Sequence, residues 1–410
     1  MVTEVEIVSK ELIKPSSPTP HHLRTHLLSF LDQFLPSIYV PIVLFYMNQE
    51  TSIPPADIIP RRARLLKESL SETLTLFYPF AGRIEDHHLS VDCNDEGAYY
   101  VEARVNRPLG EFLKLTDSSY VPQLLPATSA GGYVAMIQVT SFACGGVVVG
   151  TRLSHMVVNG TSITTFLRSW ASLTRKSDDE AVLPDFNASV VFPQNTAFSK
   201  EATSTLMTTF LKERTCRITR IVFDASAIAS LEARTASSSV PNPTRVEVVS
   251  ALLSKCIMAA LISKSALINH TVNLRQRTVP QIPKTSVGNF LCVAAALVTE
   301  NETELDSLVC LLRKAIRKID GDFVASLRGD GGWLKFFEYM KEIGKPTWVC
   351  KACAESEAAI QNTVLLMDTD LENGVEALVF MKEQHMIMLE KNEELLAFGT
   401  LGKSPLSLMI

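Results

Sequence analysis

One histidine in this 410-residue sequence stands where a buried strand gives way to a helix: His155, in Leu153-Ser154-His155-Met156-Val157-Val158-Asn159-Gly160. An imidazole can take up and return a proton near neutral pH. It does so usefully in a reaction only when rigid elements fix its position. The flanking residues predict such elements. Tyr133 to Val139 is apolar with a β-branched bias, Gly145-Gly146 supplies a turn, and Val147 through Leu153 reads as a second buried strand. After His155, Thr161 or Ser162 is the expected helix cap. Ile163, Phe166, Leu167 and Trp170 then recur at helical spacing, with one face toward a core. Taken alone, His155 reads as a core or loop histidine bonded to a carbonyl, so its reading as a base depends on the rest of the chain.

Other chemistries find little support. No GxGxxG opens a strand–helix unit, no HExxH is present, and no GxSxG elbow points to a serine hydrolase. Ala397 to Ser404, AFGTLGKS, looks loosely like a phosphate loop, but only residues 405–410 follow it, too few for the helix such a loop requires. Cys350 and Cys353 form a CxxC in a strand-like stretch. Three residues apart on a strand, their thiols point to opposite faces, which makes them structural. With no second Cys/His pair at zinc-like spacing, no metal is expected.

Composition sets the frame. Apolar residues make up 46% and charged residues 20%, enough for sizeable cores and contrary to disorder. A net charge of -5 without a concentrated basic face argues against nucleic acid. The longest greasy segment, Phe34 to Met47, holds Pro36 and Pro41 and is too short to span a bilayer, so no membrane partner is expected. Eight scattered cysteines fit a soluble, reducing compartment, and the expectation is a cytoplasmic monomer acting on a small molecule.

The organisation reads as two α/β units. Strands are expected over Val5–Leu12, Val40–Tyr46, Val91–Cys93 and Ala98–Ala103, the last two paired across Asn94-Asp95-Glu96-Gly97. Leu27–Phe34 reads as a short helix and Arg62–Phe77 as a longer one that Pro79 ends. Residues 1–180 form the first unit, 181–206 a crossover, and 207–410 the second, with part of 345–370 free to pack on the first. In the second unit Thr244-Arg245-Val246-Glu247 is a capping box for a helix through Ala260. Leu305, Leu308, Val309, Leu312 and Ile316 stripe a further helix, and Arg217–Phe223, Cys292–Val298, Asn362–Met367 and Val375–Met381 read as strands.

Several short stretches together carry a resemblance. They are Tyr78-Pro79-Phe80-Ala81-Gly82-Arg83, Cys144-Gly145-Gly146 leading into Leu153-Ser154-His155, Pro184-Asp185-Phe186 and Thr244-Arg245-Val246-Glu247. Asn273-Leu274-Arg275, Val287-Gly288-Asn289-Phe290 and Gly374-Val375-Glu376-Ala377 complete the set. Over nearly its whole length the chain resembles the plant BAHD acyltransferases, and within them the alkaloid-acetylating, vinorine synthase-like branch. The resemblance implies an α/β fold of two chloramphenicol-acetyltransferase-like domains, with mixed sheets flanked by helices and an active-site channel between them. It implies acyl-CoA-dependent transfer to an alkaloid or terpenoid alcohol, with acetyl-CoA or another acyl-CoA as co-substrate and no bound cofactor. His155 occupies the place of the family's catalytic base, Asn289 lies in a stretch assigned to cofactor binding, and Tyr46 falls on a strand that lines the acceptor side.

Two departures accompany it. The family's HxxxD appears as HxxxN, with Asn159 before Gly160 in place of the aspartate that pairs with the arginine matching Arg275. Asparagine can accept a hydrogen bond but supplies no charge, which is costly for a buried arginine unless another carboxylate compensates. The family's DFGWG is reduced to Met340-Lys341-Glu342-Ile343-Gly344, so Ile343 replaces the tryptophan thought to act near the oxyanion and only Gly344 survives. A diverged enzyme performing cyclisation, elimination or ester cleavage without CoA, or a non-catalytic partner protein, therefore stays open as an alternative.

Overall fold

The structure is a computed structural model that describes residues 5–35, 37–50, 52–84, 90–113, 118–128, 132–176, 182–194, 216–329, 331–332, 334–336, 339, 362–369 and 373–402. The strands of the first half are β1 (Glu6–Ile13), β2 (Thr25–Leu27), β3 (Tyr39–Tyr46), β4 (Arg83–Ile84), β5 (Ser90–Asp92), β6 (Ala98–Val105), β7 (Ala135–Phe142) and β8 (Val147–Ser154). They form a five-stranded sheet in the order β1-β6-β7-β8-β3 and a small one in the order β2-β5-β4. Only β6 and β7 run parallel within the large sheet, so it is mixed. The helices here are α1 (Phe30–Gln33), α2 (Pro55–Leu76), α3 (Leu109–Leu113) and α4 (Gly160–Arg175).

The second half holds α5 (Ala188–Val191), β9 (Arg217–Phe223), α6 (Ala225–Thr235), α7 (Arg245–Ala260), β10 (Ala266–Asn273), β11 (Leu291–Val298) and α8 (Leu305–Arg317). It ends with β12 (Thr363–Asp368), β13 (Val375–Met381) and β14 (Thr400–Gly402). Its main sheet is β12-β13-β9-β14, and β10 and β11 form a separate antiparallel ribbon. The Thr244 capping box is present, with Thr244 Oγ1 accepting from the Glu247 N–H and the Glu247 carboxylate accepting from the Thr244 N–H. The α8 stripe is buried through Leu305, Leu308, Val309 and Leu312.

Local choices differ from the sequence reading in places that matter. β5 and β6 are both strands but do not pair: β5 lies between β2 and β4, whereas β6 joins β1 and β7. The connection is diverted because the Asp95 carboxylate is held by the Thr19 N–H and hydroxyl and by Arg24. Asp95 and Gly97 both take left-handed backbone conformations. Leu27–Phe34 divides into the end of β2 and a single helical turn, α1. The helix expected to begin at Arg62 starts earlier, at Pro55, where a proline in the first turn costs no hydrogen bond.

Among the described residues, the larger two of three apolar cores lie against the two large sheets. In the first, Phe77, Phe80, Phe166 and Trp170 pack against Ile137, Val149 and Leu153, which lie on β7 and β8. The second gathers α7, α8, β9 and β13 around Leu252, Leu308, Phe223 and Val379. The halves also exchange residues. Phe30, Leu31 and Phe34 from the α1 turn sit in the second core, and Val287 sits in the first. β12, the described part of 345–370, pairs with β13 in the second sheet.

β8 carries the chain to His155, and its middle is tightly constrained. A methyl group built at Gly150 would collide with the Leu124 carbonyl. Gly150→Ala is therefore expected to cost about 1–3 kcal/mol, as overpacking does. Urea unfolding checks this, and an unchanged midpoint would contradict the contact.

Candidate active site

His155 leaves β8 in a tight turn. The Ser154 carbonyl accepts from the Val157 N–H at 3.0 Å and the Val158 N–H at 3.2 Å. The His155 N–H donates to the Ile38 carbonyl at 2.8 Å, just before β3 begins, and the His155 carbonyl accepts from Asn289 Nδ2 at 2.8 Å. The histidine backbone is thus gripped from the first half on one side and the second half on the other. Its side chain is half-buried.

Asn159 is the cap of α4, a place the sequence reading gave to Thr161 or Ser162. Its backbone is extended, and Oδ1 accepts from the Ser162 N–H at 3.0 Å. Asparagine performs this as well as aspartate would, so the capping function survives the substitution. Asn159 Oδ1 also lies 3.5 Å from Arg275 Nη2. That nitrogen makes its short bond elsewhere, to the Ser286 carbonyl at 2.8 Å, with the Gly288 carbonyl at 3.3 Å and Ser162 Oγ at 3.4 Å. Gly160 is exposed and opens the helix.

Arg275 is 1% exposed, and its guanidinium carbon lies 4.5 Å from the centre of the Phe290 ring. Nε and Nη1 have no hydrogen-bond partner among the described residues. Burial pulls its pKa down to about 10, while the negative charge of Asp32 pulls the other way. Asp32 is also 1% exposed. Its Oδ1 accepts from the Asn289 N–H and from Asn289 Nδ2, both at 2.8 Å. Its Oδ2 accepts from the Ser29 N–H at 2.9 Å and from the Ser29 hydroxyl at 2.6 Å. Burial pushes the Asp32 carboxyl upward, and these four bonds work against the rise.

Asp32 and Ser29 escaped the sequence reading. The available signal was Ser29-Phe30-Leu31-Asp32, a capping-box spacing with an acid inside an apolar run. The remaining residues of interest divide by place. His155, Asn159, Arg275 and Asn289 come together. Asn289, expected on the coenzyme side, is 1% exposed, and its side-chain N–H groups donate to Asp32 Oδ1 and the His155 carbonyl. Tyr46, expected in the acceptor pocket, stands at the end of β3 far from His155. Residue 39 opposes Ser154 and Tyr46 opposes Val147, placing Tyr46 seven residues or about 23 Å along the strand from the histidine end. Ile343, Gly344, Cys350 and Cys353 lie outside the described residues. Among the described residues no cluster of His, Cys, Asp or Glu is arranged to hold a metal.

This chain has close counterparts among known proteins. Residues 3–328 match the model described as the Transferase family. The chain is 43% identical to epi-neemfruitin B 7-O-acetyltransferase of Melia azedarach, over 98% of this chain and all of that protein. It is 42% identical to limonoid 7-O-acetyltransferase of Citrus sinensis, again over 98% of this chain and all of the other. Among solved structures, vinorine synthase superposes with a TM-score of 0.77 at 29% identity, covering 96% of this chain and 98% of that one. The chain belongs to the Transferase family, that of the BAHD acyltransferases, and it is a transferase enzyme using acyl-CoA as co-substrate. Its mixed α/β fold is that of the two-domain acyltransferases related to chloramphenicol acetyltransferase. No helix among the described residues is long and apolar enough to cross a membrane.

The geometry of Asn159 separates two effects of changing it. Asn159→Ala removes the α4 cap and should cost about 0.5–2 kcal/mol. Asn159→Asp keeps the cap and brings a charge toward Arg275, so its melting temperature should equal or exceed that of the parent. Calorimetric scans of both variants test this. A clear loss of stability in Asn159→Asp would contradict the placement.

Proposed function

We propose that this enzyme O-acetylates a hydroxyl of a limonoid-type terpenoid, with His155 as general base. The observation that carries the substrate class is the full-length similarity, above 40% identity, to limonoid 7-O-acetyltransferase and to epi-neemfruitin B 7-O-acetyltransferase. Alkaloid acceptors, such as the stemmadenine of a 34% identical O-acetyltransferase from Catharanthus roseus, are the second choice. Support for His155 comes from its setting: a half-buried side chain at the end of a buried strand, with its backbone held by Ile38 and Asn289.

In this reading a ring nitrogen of His155 takes the proton of the acceptor hydroxyl as its oxygen attacks the thioester carbonyl. A tetrahedral oxyanion forms. It collapses by breaking the carbon–sulfur bond, and the imidazolium returns its proton to the departing thiolate. Acceptor ester and free CoA are the products, and no bond forms between enzyme and acetyl group. Asn159 and Gly160 belong to the frame around the base and take no part in the proton transfer.

The same proposal places residues 1–180 and 207–410 in separate domains with 181–206 as the crossover, a division supported by the two cores. It makes the enzyme a cytoplasmic monomer. Cys93, Cys256 and Cys292 are consistent with a reducing compartment, being buried free thiols whose pKa values burial pushes up to about 12.

His155→Ala should fold and lose roughly two to four decades of turnover, the usual worth of a positioned base. Acetyl-CoA should bind both parent and variant by calorimetry, and the parent should acetylate a limonoid alcohol in a product assay. No CoA binding together with a CoA-independent product would overturn this proposal in favour of a diverged cyclase or esterase.

A further inference from the structure

The buried arginine and the histidine share a support that neither the HxxxN stretch nor the second motif supplies. Residues 286–290 run between Arg275 and Asp32. Their Ser286 and Gly288 carbonyls face Arg275 Nη2, and the next residue, Asn289, gives both its main-chain N–H and its Nδ2 to Asp32 Oδ1. The same Nδ2 donates to the His155 carbonyl. Asp32 is therefore one residue removed from the arginine through a short strap and one residue removed from the histidine through a single amide. The side chains around the half-buried His155 are buried, Asn159 at 7% exposure and Arg275, Asp32 and Asn289 at 1%.

We propose that Asp32 is a positioning residue for acyl transfer, holding Asn289 and through it the His155 backbone while its carboxylate balances the buried charge of Arg275 in place of the aspartate missing at position 159. The positioning half of this inference rests on the reading of His155 as the base; the charge half does not. Asp32 touches no reacting atom in this account. Its effect passes through Asn289, and small displacements of a catalytic group are expensive: about 1 Å can cost a hundredfold in rate. Electrostatically, an unpaired guanidinium in a dry setting is destabilising, and a carboxylate a few bonds away lowers that cost even without a direct ion pair.

Two variants and their combination separate the two halves. Asp32→Asn keeps the side-chain shape, removes the charge, and places an amide where the Ser29 donors or Asn289 point. Its melting temperature should fall by about 5 °C or more. Asn159→Asp should raise the melting temperature further in the Asp32→Asn background than in the parent, because there the charge of Asp32 no longer offsets that of Arg275. Equal shifts in both backgrounds would overturn the charge role. If Asp32→Asn alone fails to fold, the double variant should still be recovered folded, and failure of both would count against the proposal.

Turnover reads the positioning role. The double variant should keep kcat about 10- to 100-fold below the parent, with KM for acetyl-CoA within about twofold. Asn289→Ala, which leaves Asp32 and Arg275 in place, should show the same split. A folded Asn289→Ala with parental kcat, or a double variant restored to parental kcat, would overturn the positioning role. If instead His155→Ala retained turnover, the base assignment would fall, while the thermal coupling between positions 32 and 159 would stand.

Discussion

A guanidinium at 1% exposure has to be balanced, and much of the centre of this molecule is arranged around Arg275. Four neutral oxygens surround one of its nitrogens, an aromatic ring lies under its plane, and the carboxylate of Asp32 acts on it across a strap of five residues. The strap cannot move without disturbing Arg275, Asp32 and the α4 N-terminus together, because Gly288 also bonds through its N–H to Ser162 Oγ at 3.1 Å. Buried polar groups of this kind contribute little as isolated pairs and much as a satisfied network, since each member fixes the geometry of the next. The His155 backbone inherits that rigidity through its own carbonyl.

The loss of charge at position 159 has a limited reach for the same reason. A residue there has two tasks, capping α4 and facing the arginine. The first needs only an oxygen, which asparagine supplies at 3.0 Å from the Ser162 N–H. The second needs a charge, a role the proposal gives to Asp32. The short α1 turn that carries Asp32 is anchored by Phe30, Leu31 and Phe34 in the second core, although it belongs to the first half of the chain. The carboxylate is thereby presented from one half to the strap of the other.

Elements with a clear period were legible in the sequence. The strand–turn–strand–histidine–helix order around His155, the Thr244 capping box and the α8 stripe follow from side-chain spacing, which local physics controls. Partner choice was not legible. β5 and β6 look like a hairpin, but Asp95 is claimed by Thr19 and Arg24, more than seventy residues away in sequence. Direction along a strand was equally hidden: β3 forms where a strand was expected, and Tyr46 is at its end far from His155. Asp32 lay unnoticed because a single acid in a short turn looks like a solvated residue until tertiary contacts bury it. The family resemblance singled out His155, Arg275 and Asn289, and the structure adds the bond from the Asn289 amide to the His155 carbonyl.

The central claim is that His155 moves a proton and never carries the acyl group. Initial-rate kinetics with acetyl-CoA and the alcohol varied together, combined with intact-protein mass spectrometry after incubation with acetyl-CoA alone, tests it directly. Direct transfer predicts intersecting double-reciprocal lines and no mass gain. Parallel lines with an acetyl group retained on the protein would mean a covalent intermediate, as ping-pong kinetics signify, and would contradict the account.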